Sequence, residues 1–140
     1  MDASDVIALL ELSRHPEGGW FRETWRAAGP PGERAAGTAI YYLLAEGEQS
    51  HWHRVDATEI WHFHAGDALQ LDVSSDGVTT QRLVLGAAFD RMQRPQHVVP
   101  AGTWQSARAL GRWTLVGCTV TPAFEFAGFE LAPPGWEPGK

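Results

Sequence analysis

The sequence predicts an all-β domain, a sandwich or closed barrel of short strands behind one short N-terminal helix. Three observations carry that expectation. Helical periodicity is confined to the first dozen residues. From Trp20 onward the chain is a series of short β-rich runs broken by Gly, Pro and Asp turns, the pattern of sandwiches and barrels. A length of 140 residues, 44% of them hydrophobic and including seven tryptophans and six phenylalanines, suits one aromatic core in one domain.

The elements follow in order. Val6, Ile7, Leu9, Leu10 and Leu12 fall at helical spacing within Ser4 to Leu12, with Ser4 or Asp2 placed to cap. His15-Pro16-Glu17-Gly18-Gly19 ends that helix in a turn. Trp20 to Trp25 alternates aromatic and polar residues, and Gly29-Pro30-Pro31-Gly32 interrupts it. Thr38 to Leu44, Ser50 to Val55, Glu59 to His64, Ala68 to Val73 and Val78 to Leu85 read as strands, as do His97 to Val99, Thr103 to Ala107, Trp113 to Val120 and Phe124 to Leu131. Ser75-Asp76-Gly77 reads as a hairpin turn. The expected organisation is a helix and turn over 1–16, a β-barrel over 17–132 and an irregular, partly mobile tail over 133–140, all in one domain.

The formal net charge is −6, and the eleven Lys and Arg residues form no stripe, which argues against a nucleic-acid partner. The acidic start, Met1-Asp2-Ala3-Ser4-Asp5, lacks the basic region of a signal peptide. The apolar stretch after it is short and broken by Glu11, so no membrane span is expected. A lone cysteine, Cys118, cannot form an intramolecular disulfide. These features suggest a cytoplasmic protein.

One spacing is specific. Gly47 is followed by five residues and His53, then Val55, then three residues and Glu59, then six residues and Gly66. This resembles the first motif of the cupin superfamily, in which a second histidine stands where Val55 does. Pro100-x-Gly102, two residues, then Gln105 resembles the second cupin motif with its histidine replaced. Longer stretches resemble a narrower cupin family, DUF985 (cupin-5). They are His15 to Thr24, His53-Arg54, Glu59 to Asp67, Val99 to Gln105 and Gly117 to Phe126, so the likeness runs nearly end to end. Together these motifs make a resemblance that implies a cupin jelly-roll barrel and a homodimer. It leaves the chemistry open.

The resemblance also implies where a pocket lies. Cupins that hold a transition metal use three histidines and a glutamate, and only His53 and Glu59 stand in register here. Valine cannot ligate, and a neutral amide oxygen is a weak ligand, so the residues favour no metal. An alternative divalent-metal set is His51, His53 and Glu59, because residues two apart share one face of a strand. Without a metal, His53 and Glu59 form a candidate catalytic acid–base pair, since burial raises a carboxyl pKa toward neutrality. Gln105, Trp61, Phe63 and Trp104 are candidate ligand-binding residues, the amide for hydrogen bonds and the rings for stacking on a sugar or base. If Glu59 points inward, alternation sends Ile60, His62 and His64 the other way. His15 and His97 read as structural, and one of Tyr41 and Tyr42 faces the barrel. Arg22 and Glu23 form an ion pair or reach a ligand, and Arg54 points away.

Three functions fit this pocket. The first is a metal-independent epimerase or isomerase acting on a sugar or sugar nucleotide. The others are a non-catalytic small-molecule-binding module and a metal-dependent oxygenase or isomerase.

Overall fold

The computed structural model describes residues 1–140 and shows two antiparallel sheets packed face to face, preceded by one helix. Helix α1 spans Ala3–Leu10; Asp2 caps it, and Asp2 and Asp5 each accept from the other's backbone N–H in a capping box. Val6 and Leu12 pack with Leu43 on the outer face of the first sheet, which fixes the helix there.

Eleven strands follow: β1 Ser13–Arg14, β2 Trp20–Arg26, β3 Thr38–Ala45, β4 Gln49–Val55, β5 Thr58–Gly66, β6 Leu69–Ser74, β7 Gln81–Leu85, β8 Gln96–Val99, β9 Trp104–Ala109, β10 Trp113–Thr121 and β11 Phe129–Leu131. One sheet runs β1-β2-β3-β10-β5-β8 and the other β11-β4-β9-β6-β7. Consecutive strands repeatedly change sheet, the arrangement of a jelly roll. The alternation of each strand decides the core. Tyr42, Leu44, Trp61, Leu69, Leu71, Leu85, Val116 and Cys118 meet between the sheets. Tyr42 is thus the inward tyrosine, and Tyr41 packs on the helix side.

Three sequence expectations shift. The strand placed at Val78 begins at Gln81, because the Asp76 carboxylate accepts from Val78 N, Thr79 N and Thr79 Oγ1 and holds those residues in a turn. The strand placed over Phe124 to Leu131 is irregular at Phe124 and Glu125, turns through a 3₁₀ helix at Phe126–Gly128, and is a strand only over β11. Strand β1 was not expected, being two residues with no periodicity to read. The tail over 133–140 is irregular but docked: Trp136 stacks on Trp104 at 4.6 Å and meets Trp52 edge-on at 6.1 Å.

Candidate functional site

A cavity of about 310 Å³ opens at one end of the sandwich. Its position follows from a turn and a bulge. The turn is His15 to Gly19, where Gly18 and Gly19 adopt φ of +106° and +77°, conformations that cost any other residue strain. A Cβ on Gly19 would lie 2.7 Å from the Tyr42 hydroxyl and 2.9 Å from the Leu43 carbonyl. Tyr42 Oη donates to Gly18 O at 2.5 Å, and His51 N donates to Glu17 O at 2.8 Å. Clamped to β3 and β4 in this way, the turn delivers the His15 and Glu17 side chains into the cavity.

The bulge lies on β4. Ser50 is opposite Ala107 and His53 opposite Gln105, so three steps on β4 match two on β9. The extra residue breaks the two-residue alternation. Ser50 and His53 both reach Glu17, while the His51 ring contacts the Pro133 carbonyl at 3.0 Å. His51 is therefore not brought to His53 and Glu59, and the proposed three-residue metal set is not assembled.

Glu17 is the hub. Its Oε2 accepts from Ser50 Oγ and lies 3.5 Å from His53 Nε2, while its Oε1 lies 3.3 Å from His15 Nδ1. The two imidazoles differ in tautomer. His53 Nδ1 is 2.7 Å from the His51 carbonyl, which can only accept, so Nδ1 carries the proton and Nε2 presents its lone pair. His15 Nδ1 accepts from Glu17 N at 3.1 Å, so the neutral ring carries its proton on Nε2.

Glu59 completes the group. Gln105 Nε2 donates to Glu59 Oε1 at 2.7 Å, and Trp61 Nε1 donates to Gln105 Oε1 at 2.8 Å. Burial raises the Glu59 pKa from 4.5 to about 7; His53 nearby and the Gln105 bond oppose the rise, and Glu17 adds to it. Burial also raises Glu17 and lowers both His15 and His53. The short His–Glu separations would suit ion pairs, but burial drives all four groups toward their neutral forms.

The candidate residues thus divide. His53 and Glu59 share the cavity wall. Gln105 and Trp61, 1% exposed each, stand behind Glu59 and outside the cavity lining. Phe63 packs against the central core, outside the cavity lining. Trp104 lies elsewhere, between the Arg54 guanidinium at 4.5 Å and Trp136 at 4.6 Å. Arg22 pairs with Glu11 at 3.2 Å, and Glu23 with Arg26 at 2.8 Å, so Arg22 and Glu23 are not partners. His62 bridges Thr119 and Gln96 away from the cavity.

A cupin metal does not fit these residues. Val55 lines the cavity at one ligand position, and Gln105 has its oxygen occupied by Trp61 and turns its N–H₂ inward. Sequence reasoning missed Glu17, the role of His15, and the walls Phe21, Phe124 and Phe126. The readable signal was His15-Pro16-Glu17-Gly18-Gly19, where two titratable residues sit inside a turn that two glycines force.

Comparisons with known proteins agree with this architecture. The model of the family "Cupin superfamily (DUF985)" matches residues 4–132. Protein SO0799 from Shewanella oneidensis is 39% identical with a TM-score of 0.89, covering 94% of this chain and 85% of that one. A hypothetical protein from Leishmania major is 32% identical with a TM-score of 0.87, covering 97% and 90%. Oxalate decarboxylase from Bacillus subtilis is similar in fold alone, at 13% identity and a TM-score of 0.65 over 84% of this chain and 29% of that one. The search of curated proteins found no match. With its family model matched nearly end to end and its jelly-roll sandwich closing on a histidine–glutamate cavity, the chain belongs to the Cupin superfamily (DUF985) family.

Proposed function

We propose that the cavity binds a small hydroxylated molecule and moves a proton on it without a metal, as an epimerase or isomerase of a sugar does. The observation that carries this reading is Glu59, a buried carboxyl on the cavity wall whose pKa of about 7 lets it give and take a proton near neutrality. His53 supports it by offering a bare Nε2 beside the same space. In the step envisaged, His53 Nε2 takes the proton from a carbon next to a carbonyl. The C–H electron pair moves into the new C=C bond as the carbonyl pair moves to oxygen, which takes the Glu59 proton. The isomer forms when protonated His53 gives its proton to the former carbonyl carbon while Glu59, now a carboxylate, takes the proton of the neighbouring hydroxyl; the epimer forms when the original carbon is instead reprotonated on its opposite face and Glu59 takes back the enol proton. A volume of about 310 Å³ lies at the small end for ligand pockets and suits a monosaccharide better than a whole sugar nucleotide.

The test is deuterium wash-in. Monosaccharide aldoses and 2-ketoses are incubated with the protein in D₂O, and loss of the aldose C2–H or the ketose C1–H signal is followed by proton NMR. Wild type is expected to exchange, and His53→Ala to lose about 100-fold or more of the rate. Exchange that survives His53→Ala refutes the role of His53, and a sugar that binds without exchanging makes the cavity a binding module. A homodimer and a cytoplasmic location complete the reading. Exposed strand edges support the first, and the lone buried thiol Cys118 supports the second.

A further inference from the structure

The mouth of the cavity carries a charge pattern that the proton-transfer groups do not explain. Glu23 and Arg26 face each other at 2.8 Å, and Arg26 Nη2 also donates to the Phe124 carbonyl at 3.0 Å. The only cationic side chain on the wall, apart from the histidines, is thereby committed. Glu125 on the same wall is half-buried and has neither an ion pair nor a side-chain hydrogen bond. Arg34, whose guanidinium feels the Glu125 charge, is bonded instead to Asp56 at 2.7 Å and to the Ala123 carbonyl at 2.9 Å.

Glu125 is flanked by two phenyl rings that also line the cavity. Phe124 and Phe126 have centroids 5.0 Å apart and planes at 84°, forming a corner, and Phe21 lines the same space. Phe126 is 59% exposed, an apolar ring left in water at the entrance. Ring faces attract cations through their quadrupole, most strongly where water is partly excluded. A carboxylate without a counter-ion does the same, and a desolvated one gains most from a partner. An anionic ligand would meet Glu125 and would have to displace Glu23 from Arg26. The net charge of −6 biases encounters in the same direction.

We infer that the cavity mouth binds an ammonium group, with Glu125 as counter-ion and Phe124 and Phe126 as the ring faces. The inference rests on the cavity being the ligand site, as proposed above. It narrows the ligand to a small amine, an amino sugar or amino alcohol with its hydroxylated part directed inward. A diphosphate-linked sugar is excluded by the same charges.

The experiment titrates the full-length, isotope-labelled protein with tetramethylammonium chloride and with ethanolamine hydrochloride, using sodium chloride and sodium acetate as controls. Both ammonium probes are expected to shift the backbone amides of residues 124–126 saturably, and the sodium salts are not. Glu125→Gln and Phe126→Leu should each weaken binding about five- to tenfold, the latter while keeping an apolar side chain of similar reach. Spectra unchanged elsewhere establish that the variants are folded. Saturable binding of acetate in place of ammonium overturns the inference. So does the absence of saturation by both probes, or unaltered affinity in both variants. Failure of the two readings is distinguishable. A protein that binds ammonium but exchanges no sugar proton loses the catalytic reading alone. One that exchanges a neutral sugar's proton yet ignores ammonium loses this inference alone.

Discussion

Glu59 has neighbours that pull its proton affinity in opposite directions. Burial and Glu17 hold the proton on, while His53 and the Gln105 amide favour its loss. Burial wins, and the consequence for stability has a definite sign. The folded pKa, about 7, lies above the ordinary 4.5, so the folded state binds more protons between those values. This stabilising contribution is complete below about pH 4.5 and is lost as pH rises through about 7. His15 and His53 act in the reverse sense, because their lowered values remove stability as pH falls below 6.5. The opposing slopes overlap in the wild type, and one substitution separates them. Glu59→Gln keeps a carbonyl for Gln105 to donate to and cannot ionise. Relative to wild type it should gain roughly 3 kcal/mol more at pH 8 than at pH 4, at about 1.4 kcal/mol per pKa unit. Urea unfolding at the two pH values measures this, and an equal difference at both would mean that Glu59 titrates normally.

The elements that carry the site are a turn and a bulge rather than regular strands. In the His15 to Gly19 turn, a Cβ on Gly18 would run into the Gln49 carbonyl, and the positive φ disfavours any side chain. Gly18→Ala should therefore cost about 1–3 kcal/mol in urea unfolding and slow any wash-in by displacing His15 and Glu17. Unchanged stability would show that the turn is not constrained by β4. This turn also marks the limit of what the sequence discloses. Alternation and turn residues located ten of the eleven strands at least in part, and motif spacing put His53 and Glu59 together. That spacing is local, and strand geometry preserves it. The bulge between Ser50 and His53 depends on pairing with β9, a non-local event, so simple alternation, which underlies the alternative metal set, does not show that the His51 ring turns to the Pro133 carbonyl. Trp104 misled for a related reason, since the tail that covers it is distant in sequence. Glu17 was hidden because its turn looked complete as a helix stop, with nothing to indicate a docking surface on β3 and β4.

At the scale of the whole molecule, edges and tail remain to be accounted for. Sheet edges β7 and β8 flank a groove of about 540 Å³ lined in part by Val73, Leu83, Val98 and Pro100, and Val98 is 55% exposed. Such edges call for cover, and a second copy is the expected occupant. Light scattering should give twice the chain mass for wild type and less for Val98→Asp; a monomeric wild type refutes the pairing. The tail protects a different surface. Ala132 N donates to Trp52 O at 2.9 Å, Gly139 N donates to Gly77 O at 3.0 Å, and Trp136 stands between them against Trp52 and Trp104. Trp52 is only 6% exposed with this cover in place. Deleting 133–140 would open two indoles to water and free the His51 ring from the Pro133 carbonyl. Exposing apolar area of that size costs roughly 2–4 kcal/mol. The shortened chain should unfold at lower urea, and its native tryptophan emission should shift to the red. Should both stay at wild-type values, the tail contributes nothing to holding this face of the sheet closed.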